Sequence, residues 1–580
     1  MYMHKRIQII ICFGVLFCTN NGIAQDSTGK KLPLKITGTM GITYEGYGLN
    51  VKPTGSNIYT PRRPWNHVRF LFAQILQFGN KFSLPLNFNF ASMATNFAGP
   101  YAGLKNQSIG QWLTNPMNNF SVNPAYKWAE LLLGTQYLKY SDLSTGDIGI
   151  FGAGFNLHPG KFMFKFFTGT SQQGINYAAA PPPGITGAFK RTHYMFQIGA
   201  EVEGSHKVAF NFSKGKDAVT SVTAPPLTIK PQEGFNTSFI LDKYFKKGWF
   251  INLESALSFF TRDLTQPLIP GADNLSFKPF IAARTSTTKD FAGQMSVGKK
   301  SPNIDISYAT KYIGAGYQTT GFPFMQPDHW DNTINTRFNA WKNKINITAS
   351  MGQRVNNISN TVLRASQFLG NLNWFTQFND RFSLNINYNN FGFQTASGLN
   401  PFGIKNVSND LGISPTYTWT TATMTHLLTV SYNYSKYDER DVITGVTTGN
   451  NTHTTLLTYV PVFFNKDVTP DFSVLYFKNT MPAFKNTFIT LSGSLGMPVA
   501  KKKIQLRGQL QYTIGKLNTY TANNNLVASC NIDWKINKKL SWNSFLSTNY
   551  FRYGNELGSI PLIGANYLES SVRTGLQYKF

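Results

Sequence analysis

Four arginines lie on the polar side of segments in which polar and apolar residues alternate. They are Arg69, Arg337, Arg507 and Arg573. A guanidinium group carries a permanent positive charge and a fork of hydrogen-bond donors, which suits anions, sugars and phosphates. If these segments wall a water-filled space, the four side chains line it and favour anions. The alternative, of equal weight, is that each arginine pairs with a carboxylate on a neighbouring strand.

Lysines form a second basic pattern, because they recur in short turns. We refer to this set as the lysine ring: Lys246, Lys247, Lys299, Lys300, Lys501, Lys502, Lys503, Lys538 and Lys539. Ammonium groups near an anionic membrane surface each contribute about 1 kcal/mol to its attraction. If these turns lie beside a membrane, we expect the lysine ring to contact phospholipid head groups, with an acidic protein as the alternative partner.

No motif in the sequence predicts an active site, a cofactor or a metal centre. Residues 149–154 have the glycines of a phosphate-binding loop, but no helix follows to supply a dipole for phosphate. The eight histidines are scattered, and none has a second histidine or cysteine at ligand spacing. His426 on strand-like sequence is better explained as a membrane-interface residue than as a lipase histidine. We expect neither catalysis nor a cofactor.

The elements that position these residues are strands, since the sequence alternates with a period of two from about residue 34 onward. From Phe382 to Asn389, for example, apolar residues at even positions alternate with Ser or Asn at odd positions. Segments of about 10 to 14 residues with one apolar face suit tilted strands that cross a bilayer. An open sheet would leave unpaired edges in lipid, so the sheet must close.

Composition and connection lengths agree with such a barrel. Charged residues make up 14% of the chain, against roughly 25% in soluble domains. Short turns such as 79–80 and 537–539 alternate with long connections such as 94–117 and 438–451. In bacterial outer-membrane barrels the short turns are periplasmic and the long loops extracellular. We expect an all-β fold, a closed antiparallel transmembrane β-barrel of about 26 strands (about 24–28).

The N-terminus has the parts of a secretory signal peptide. Lys5-Arg6 provides the positive region, an apolar stretch runs to Cys18, and residues 22–24 offer a cleavage site. Export removes the chain from nucleic acid, so its formal net charge of +27 indicates lipid head groups and solutes as partners. The expected boundaries are 1–24 for the signal peptide, 25–33 for a short periplasmic segment and 34–580 for the barrel.

The last segment resembles the closing strand of Gram-negative outer-membrane barrels, since its alternation runs to Tyr578 and Phe580. In that family the barrel-assembly machinery reads this strand, so the resemblance implies that Tyr578 and Phe580 form the assembly signal. Residues 120–128 and 411–419 echo each other. With residues 151–154, they resemble a family of large barrels from Bacteroidota. This second resemblance implies no activity.

The expected function is a porin-like channel of the bacterial outer membrane for small polar, anionic solutes. A barrel of this size has a wide lumen, and so few residues precede the first strand that we expect no N-terminal plug domain. Long loops would then fill the lumen, with residues 180–184 and 225–226 as the candidates. The rival is a non-conducting barrel that serves as scaffold in a secretion or surface assembly, bound to a periplasmic or surface protein.

Overall fold

Residues 34 to 580 are described by a computed structural model, apart from several connections. The described ranges are 34–52, 66–91, 118–146, 148–176, 187–225, 227–361, 364–394, 405–440, 447–482, 484–518, 522–554 and 566–580. The proposed signal peptide and the segment 25–33 lie outside them. Within these ranges the helical elements are three 3-10 turns, Val219–Ser221, Lys246–Gly248 and Asp273–Leu275. No described helix has the length and apolar character needed to span a membrane.

The strands follow one another along the chain with short or long connections between them. They are β1 (Leu34–Lys52), β2 (Asn66–Phe78), β3 (Phe82–Ala91), β4 (Asn119–Val122), β5 (Ala125–Tyr126), β6 (Ala129–Tyr137), β7 (Gly149–Leu157), β8 (Phe162–Gln172), β9 (Arg191–Val202), β10 (His206–Asp217), β11 (Glu233–Tyr244), β12 (Trp249–Thr261), β13 (Thr287–Lys300), β14 (Ile304–Ile313), β15 (His329–Ala340), β16 (Ile345–Asn356), β17 (Ala365–Gln377), β18 (Phe382–Gln394), β19 (Lys405–Thr420), β20 (Met424–Arg440), β21 (Thr447–Phe463), β22 (Thr469–Thr480), β23 (Lys485–Val499), β24 (Ile504–Leu517), β25 (Asn523–Lys535), β26 (Leu540–Arg552) and β27 (Asn566–Lys579).

All of these strands belong to one closed sheet. β4 and β5 lie end to end between β3 and β6 and act as one strand, which makes a barrel of 26 strands. Every neighbouring pair is antiparallel, and β1 pairs with β27 from Thr39↔Lys579 to Lys52↔Asn566. This pairing leaves no free edge at the seam. The predicted all-β, closed antiparallel barrel of about 26 strands is confirmed.

The connections alternate between two ends of the barrel, which we name the turn end and the loop end. At the turn end, residues 203–205 join β9 to β10 through Gly204, whose φ of 69° suits a tight turn. At the loop end, residues 262–286 join β12 to β13. The predicted connection 438–451 is wrong, since β20 continues to Arg440 and β21 begins at Thr447. That stretch is polar but rich in threonine, and β-branched residues favour strands.

The two faces of the sheet differ in polarity. On β14, β15 and β16 the outer face carries Ile306, Ile334 and Met351, each more than half exposed. On β18 the inner face carries Asn385, Asn387 and Asn389. The alternation of side chains along each strand therefore separates an apolar exterior from a polar interior. This separation positions the candidate functional residues inside the barrel.

Candidate functional site

Two connections of the loop end fold back into the barrel. The first inserted loop, residues 138–146, follows β6, and the second inserted loop, residues 314–328, joins β14 to β15. Leu143 and Tyr317 from these loops are fully buried and pack against Ala256 and Ala292 of the barrel wall. The loops therefore occupy the part of the lumen next to β8–β15, and the residues they touch identify the inner face of those strands.

Glu254 on β12 anchors the first inserted loop. Its carboxylate accepts hydrogen bonds from the Ser141 hydroxyl and from the backbone N–H groups of Asp142, at 3.1 Å, and Leu143, at 3.3 Å. The Gln294 side-chain amide donates to the same carboxylate at 3.0 Å. Hydrogen bonds to an ionised acceptor are stronger than neutral ones. One buried carboxylate thus accepts the hydrogen bonds that the turn of the loop donates, and it attaches the loop to the wall.

The second inserted loop is held through its backbone. The Gly316 N–H donates to Asp290 Oδ2 at 2.6 Å. The Gln318 carbonyl accepts from the Asn236 amide at 3.3 Å and from the Ser258 hydroxyl. Strands β11, β12 and β13 supply these three side chains at neighbouring positions of the inner face. The polar inner face of the wall therefore replaces water as the partner of the loop backbone.

The two inserted loops also bind each other. The Tyr317 hydroxyl donates to the Leu143 carbonyl at 3.0 Å, and the Thr319 hydroxyl donates to the Ser144 carbonyl at 2.7 Å. Burial raises the pKa of the Tyr317 phenol above its ordinary value, so the hydroxyl keeps the proton that it donates. Because each loop contacts both the wall and the other loop, we treat them as one body.

A cavity of about 650 Å³ lies beneath the first inserted loop, toward the turn end. Its volume falls within the roughly 300–1,000 Å³ of ligand sites. Cross-strand register arranges its wall in two rows of inner-face residues. The upper row is Glu254, Gln294, Lys311 and Asp331, and the lower row is Lys207, Asp242, Asn252, Ser296 and Thr333.

Some charges of this cavity are already paired. Both carboxylate oxygens of Asp331 bind the Arg354 guanidinium at 2.6 Å. Lys139 and Asp142 of the first inserted loop form an ion pair at 2.6 Å. These pairs are internal to the wall or to the loop, so they shape the cavity without offering a free charge to a solute.

Other charges of the cavity have no such partner. Lys207 and Lys311 form no ion pair and no side-chain hydrogen bond with the described residues. Asp242 lies directly opposite Lys207 in the register, yet the two are not in ion-pair contact. With its amide turned so that the nitrogen faces the carboxylate, Asn252 donates to Asp242 at 3.3 Å. Two ammonium groups and one carboxylate of the cavity wall thus have no ion-pair partner among the described residues.

The register places all four predicted arginines on the inner face, but two of them are paired. Arg337 on β15 forms an ion pair with Asp305 of β14 at 2.9 Å. Arg507 on β24 contacts Asp471 of β22 and the Ser494 hydroxyl. For these two arginines, the structure matches the alternative in which the guanidinium group pairs with a carboxylate on another strand.

The other two predicted arginines remain without such partners. Arg69 on β2 and Arg573 on β27 are exposed and form no ion pair with a described residue. Arg573 lies directly opposite Glu45 in the register, and Glu45 approaches His67 instead, at 3.8 Å. The seam formed by β27, β1 and β2 therefore presents to the interior two guanidinium groups that have no ion-pair partner among the described residues.

The lysine ring lies entirely at the turn end, in turns or at strand ends next to them. Several of its members lie beside aromatic rings: Lys299 is 5.8 Å from the centre of Trp249, and Lys539 is 5.9 Å from that of Tyr578. Lys502 forms an ion pair with Asp467 of the neighbouring turn at 2.6 Å. The ring is spread around the rim and is not a single cluster.

The predicted assembly signal lies at the seam. Tyr578 and Phe580 pack edge to face, with ring centres 4.9 Å apart. The Phe580 backbone N–H donates to the Gly38 carbonyl of β1 at 3.1 Å. The last residues of the chain therefore contact the first strand.

Other candidates for chemistry have structural partners. His426 stacks on Trp419 with ring centres 4.6 Å apart, and its Nδ1 lies 2.7 Å from the Tyr459 hydroxyl. Register places this cluster on the outer face, near the turn end. In the described part of the chain, no group of three or more His, Cys, Asp or Glu side chains could hold a metal ion.

Sequence reasoning missed the inserted loops and therefore the cavity. The expected lumen-filling residues 180–184 and 226 lie outside the described residues, whereas Leu227 nearby is 87% exposed. The available signal was Leu143, a bulky apolar residue within the polar stretch 141–145. An apolar side chain in a connection needs a buried position, but the sequence does not show where.

Comparisons with known proteins give distant structural likenesses. No protein-family model and no curated protein sequence matches the chain. A mutant of the ferric enterobactin receptor PfeA from Pseudomonas aeruginosa is similar at 10% identity, covering 94% of this chain and 81% of that chain, with a TM-score of 0.39. The FrpB iron transporter from Neisseria meningitidis is similar at 10% identity, over 78% and 87%, with a TM-score of 0.35. The P pilus usher (PapC) translocation pore is similar at 10% identity, over 93% and 98%, with a TM-score of 0.31.

Proposed function

We propose that this chain is a channel of the bacterial outer membrane that passes small polar solutes and prefers anions. The membrane location is supported by the closed sheet with its apolar exterior, since a spanning sheet in lipid must satisfy its backbone internally and leave no edge. The short turns would then face the periplasm and the long loops the exterior.

The observation that carries the proposal is the uncovered inner wall opposite the inserted loops. On β24 and β25, the inner-face residues Gln505, Arg507 and Asn531 are exposed, and the Arg507 side chain keeps 56% of its surface accessible. Polar groups that stay accessible inside a barrel line a water-filled path, whereas the covered wall is closed to water.

The preference for anions rests on the arginines that lack a carboxylate. Arg337 and Arg507 are each balanced by an aspartate, so their fields largely cancel at a distance. Arg69 and Arg573 form no ion pair with a described residue, so their guanidinium groups can meet anions directly, although Glu45 and Glu569 lie on the same part of the wall. A fixed positive charge in a narrow aqueous path raises the local concentration of anions.

Planar-bilayer recordings of the purified full-length protein test the proposal. We expect stable conductance steps and a reversal potential in a salt gradient that indicates anion preference. The double variant Arg69→Gln, Arg573→Gln should move the reversal potential toward the cation side. The matched control Arg507→Gln, Asp471→Asn removes a pair without changing net charge, so it should leave the reversal potential unchanged.

Cation preference in the unmodified protein would overturn the anion part of the proposal. A correctly folded barrel that never conducts would overturn the channel itself. The second candidate, a scaffold within a secretion or surface assembly, would then be favoured, and the inserted loops that occupy part of the lumen are the observation in its support. Under that function, a periplasmic or surface protein should co-purify with the barrel in mild detergent.

For the lysine ring we propose contact with anionic phospholipid head groups. The support is its position at the turn end beside aromatic rings, since amphipathic and basic side chains together favour the membrane boundary. Replacing Lys501, Lys502 and Lys503 by Gln should weaken association with anionic liposomes. Equal association of the variant and the parent would contradict lipid contact by this part of the ring.

Export and assembly complete the proposal. A signal peptide over 1–24 would be cleaved before Gln25, which N-terminal sequencing of the mature protein tests. Tyr578 and Phe580 would be read by the barrel-assembly machinery. Replacing both by Ser should lower the amount of folded barrel in the outer membrane, and an unchanged amount would argue against that role.

A further inference from the structure

The free charges of the cavity beneath the first inserted loop are separated along its wall. Asp242 lies on β11 and Lys311 on β14. Three strand spacings correspond to roughly 14 Å across the sheet. Their side chains project inward from a curved wall, so the charged ends are closer than the strands themselves. A solute that engages both ends must carry a positive and a negative group some distance apart.

The groups between these ends are neutral hydrogen-bonding side chains. Asn252 and Ser296 occupy the lower row on β12 and β13, and Thr333 lies in the same row on β15, just beyond the strand of Lys311. Amides and hydroxyls in such a row can accept from N–H groups and donate to carbonyl groups. An extended solute with alternating donors and acceptors therefore fits this row better than a compact apolar solute.

Three other charged groups of the cavity already have partners. Glu254 is held by the first inserted loop, Asp331 by Arg354, and Asp142 by Lys139. Lys207 is free and lies opposite Asp242, so a small anion at Lys207 alone is the competing possibility. The Asp242 carboxylate opposite Lys207 weakens the attraction of that end for a simple anion.

We propose that this cavity binds a zwitterionic solute, specifically a short peptide of about two to four residues, given the reach of an extended chain. The peptide ammonium pairs with Asp242, and its terminal carboxylate pairs with Lys311. Asn252 and Ser296 contact the peptide backbone between them. This inference rests on the proposed channel function, because it names a solute class for that lumen.

Isothermal titration of the full-length protein in detergent with triglycine tests the site without requiring conduction. We expect saturable binding of triglycine. Asp242→Asn and Lys311→Gln should each weaken it by about tenfold, the change expected for one lost charge-assisted contact. Lys243→Gln is the matched control, since Lys243 is the next residue along β11 and faces outward, and it should bind like the parent.

Chemical variants of the ligand give an independent test. Acetylating the N-terminus of triglycine should weaken binding to the parent and should weaken it no further in Asp242→Asn. Amidating the C-terminus of triglycine should likewise weaken binding to the parent and should weaken it no further in Lys311→Gln. Equal binding of triglycine and its doubly blocked form would overturn the inference, as would stronger binding of inorganic phosphate than of triglycine.

The outcomes separate this inference from the channel proposal. A barrel that conducts ions but does not bind triglycine would refute the peptide site and leave the channel intact. A barrel that binds triglycine but never conducts would support the site and refute the channel. Circular dichroism and resistance to unfolding in detergent would confirm that each variant is folded before binding is measured.

Discussion

The inner wall of this barrel has two parts that differ in what covers them. Along β10–β12, inner-face residues such as Asn211, Asn236 and Ser258 are at most 1% exposed. Along β24 and β25, inner-face residues such as Gln505 and Asn531 are exposed. Both parts use polar side chains at alternate positions. The difference arises from the two inserted loops, so the same strand pattern supports a packed interior in one place and a wet surface in another.

The covered wall is polar and incompletely paired. Both ring nitrogens of His193 and the Thr320 hydroxyl are buried without a hydrogen-bond partner among the described residues. A buried polar group left unpaired costs about 1–3 kcal/mol. Docking of the inserted loops therefore depends strongly on the few contacts that are well made, above all those of Glu254.

Glu254→Gln should cause the largest change in the covered wall. The amide brings N–H donors to a place where four donors converge, so it leaves part of the first inserted loop unpaired. We expect docking to weaken by about 2–4 kcal/mol. Hydrogen exchange of residues 138–146, followed by mass spectrometry, should become at least about tenfold faster, and single-channel conductance should rise.

The matched control is Glu569→Gln on the uncovered wall. The Glu569 carboxylate accepts a hydrogen bond from the Tyr47 hydroxyl at 2.8 Å and does not touch an inserted loop. Exchange in 138–146 should therefore stay at the parental rate in this variant. If exchange in 138–146 is the same in both glutamine variants, Glu254 does not hold the first inserted loop.

Gly215→Ala should have an intermediate effect. An added Cβ on β10 would collide with the Thr320 hydroxyl and would lie 2.8 Å from His193 Cε1. The second inserted loop must then shift, at a cost of about 1–3 kcal/mol typical of overpacking. Denaturant unfolding in detergent measures this loss of stability.

Gly515→Ala provides the same change on the uncovered wall. There the nearest atom to an added Cβ is Phe488 Cβ, at an ordinary 3.6 Å. The stability of this variant should stay within about 0.5 kcal/mol of the parent. Equal destabilisation by both alanines would mean that the second inserted loop does not pack on Gly215 as the structure indicates.

Tyr317→Phe should give the smallest effect, about 1 kcal/mol, because it removes one hydrogen bond and leaves the Leu143 carbonyl unpaired. Hydrogen exchange in 138–146 and 314–328 reports it, with Tyr47→Phe as the control on the uncovered wall. Combined with Glu254→Gln, the change should be less than additive, since the two loops dock as one body. Full additivity would show that the loops move independently.

Local patterns in the sequence were sufficient for the barrel and for the direction of many side chains. The alternation from Phe382 to Asn389 predicts a strand with one polar face, and the same phase places Arg69 and Arg573 inside. This works because a strand repeats every two residues and closure in lipid leaves little choice of architecture. The length of β20 and β21 was missed because a polar, threonine-rich strand beyond the apolar band resembles a loop.

The sequence by itself determined the strand repeat, the closed sheet and the inward phase of the arginines, since these depend on neighbours along one strand. Only the tertiary structure decided which charges are free. Arg507 is balanced by Asp471, which is 36 residues away in sequence, and Ser141 reaches Glu254 across 113 residues. Such contacts depend on the order and register of many strands and on how loops fold back, and no local spacing encodes them.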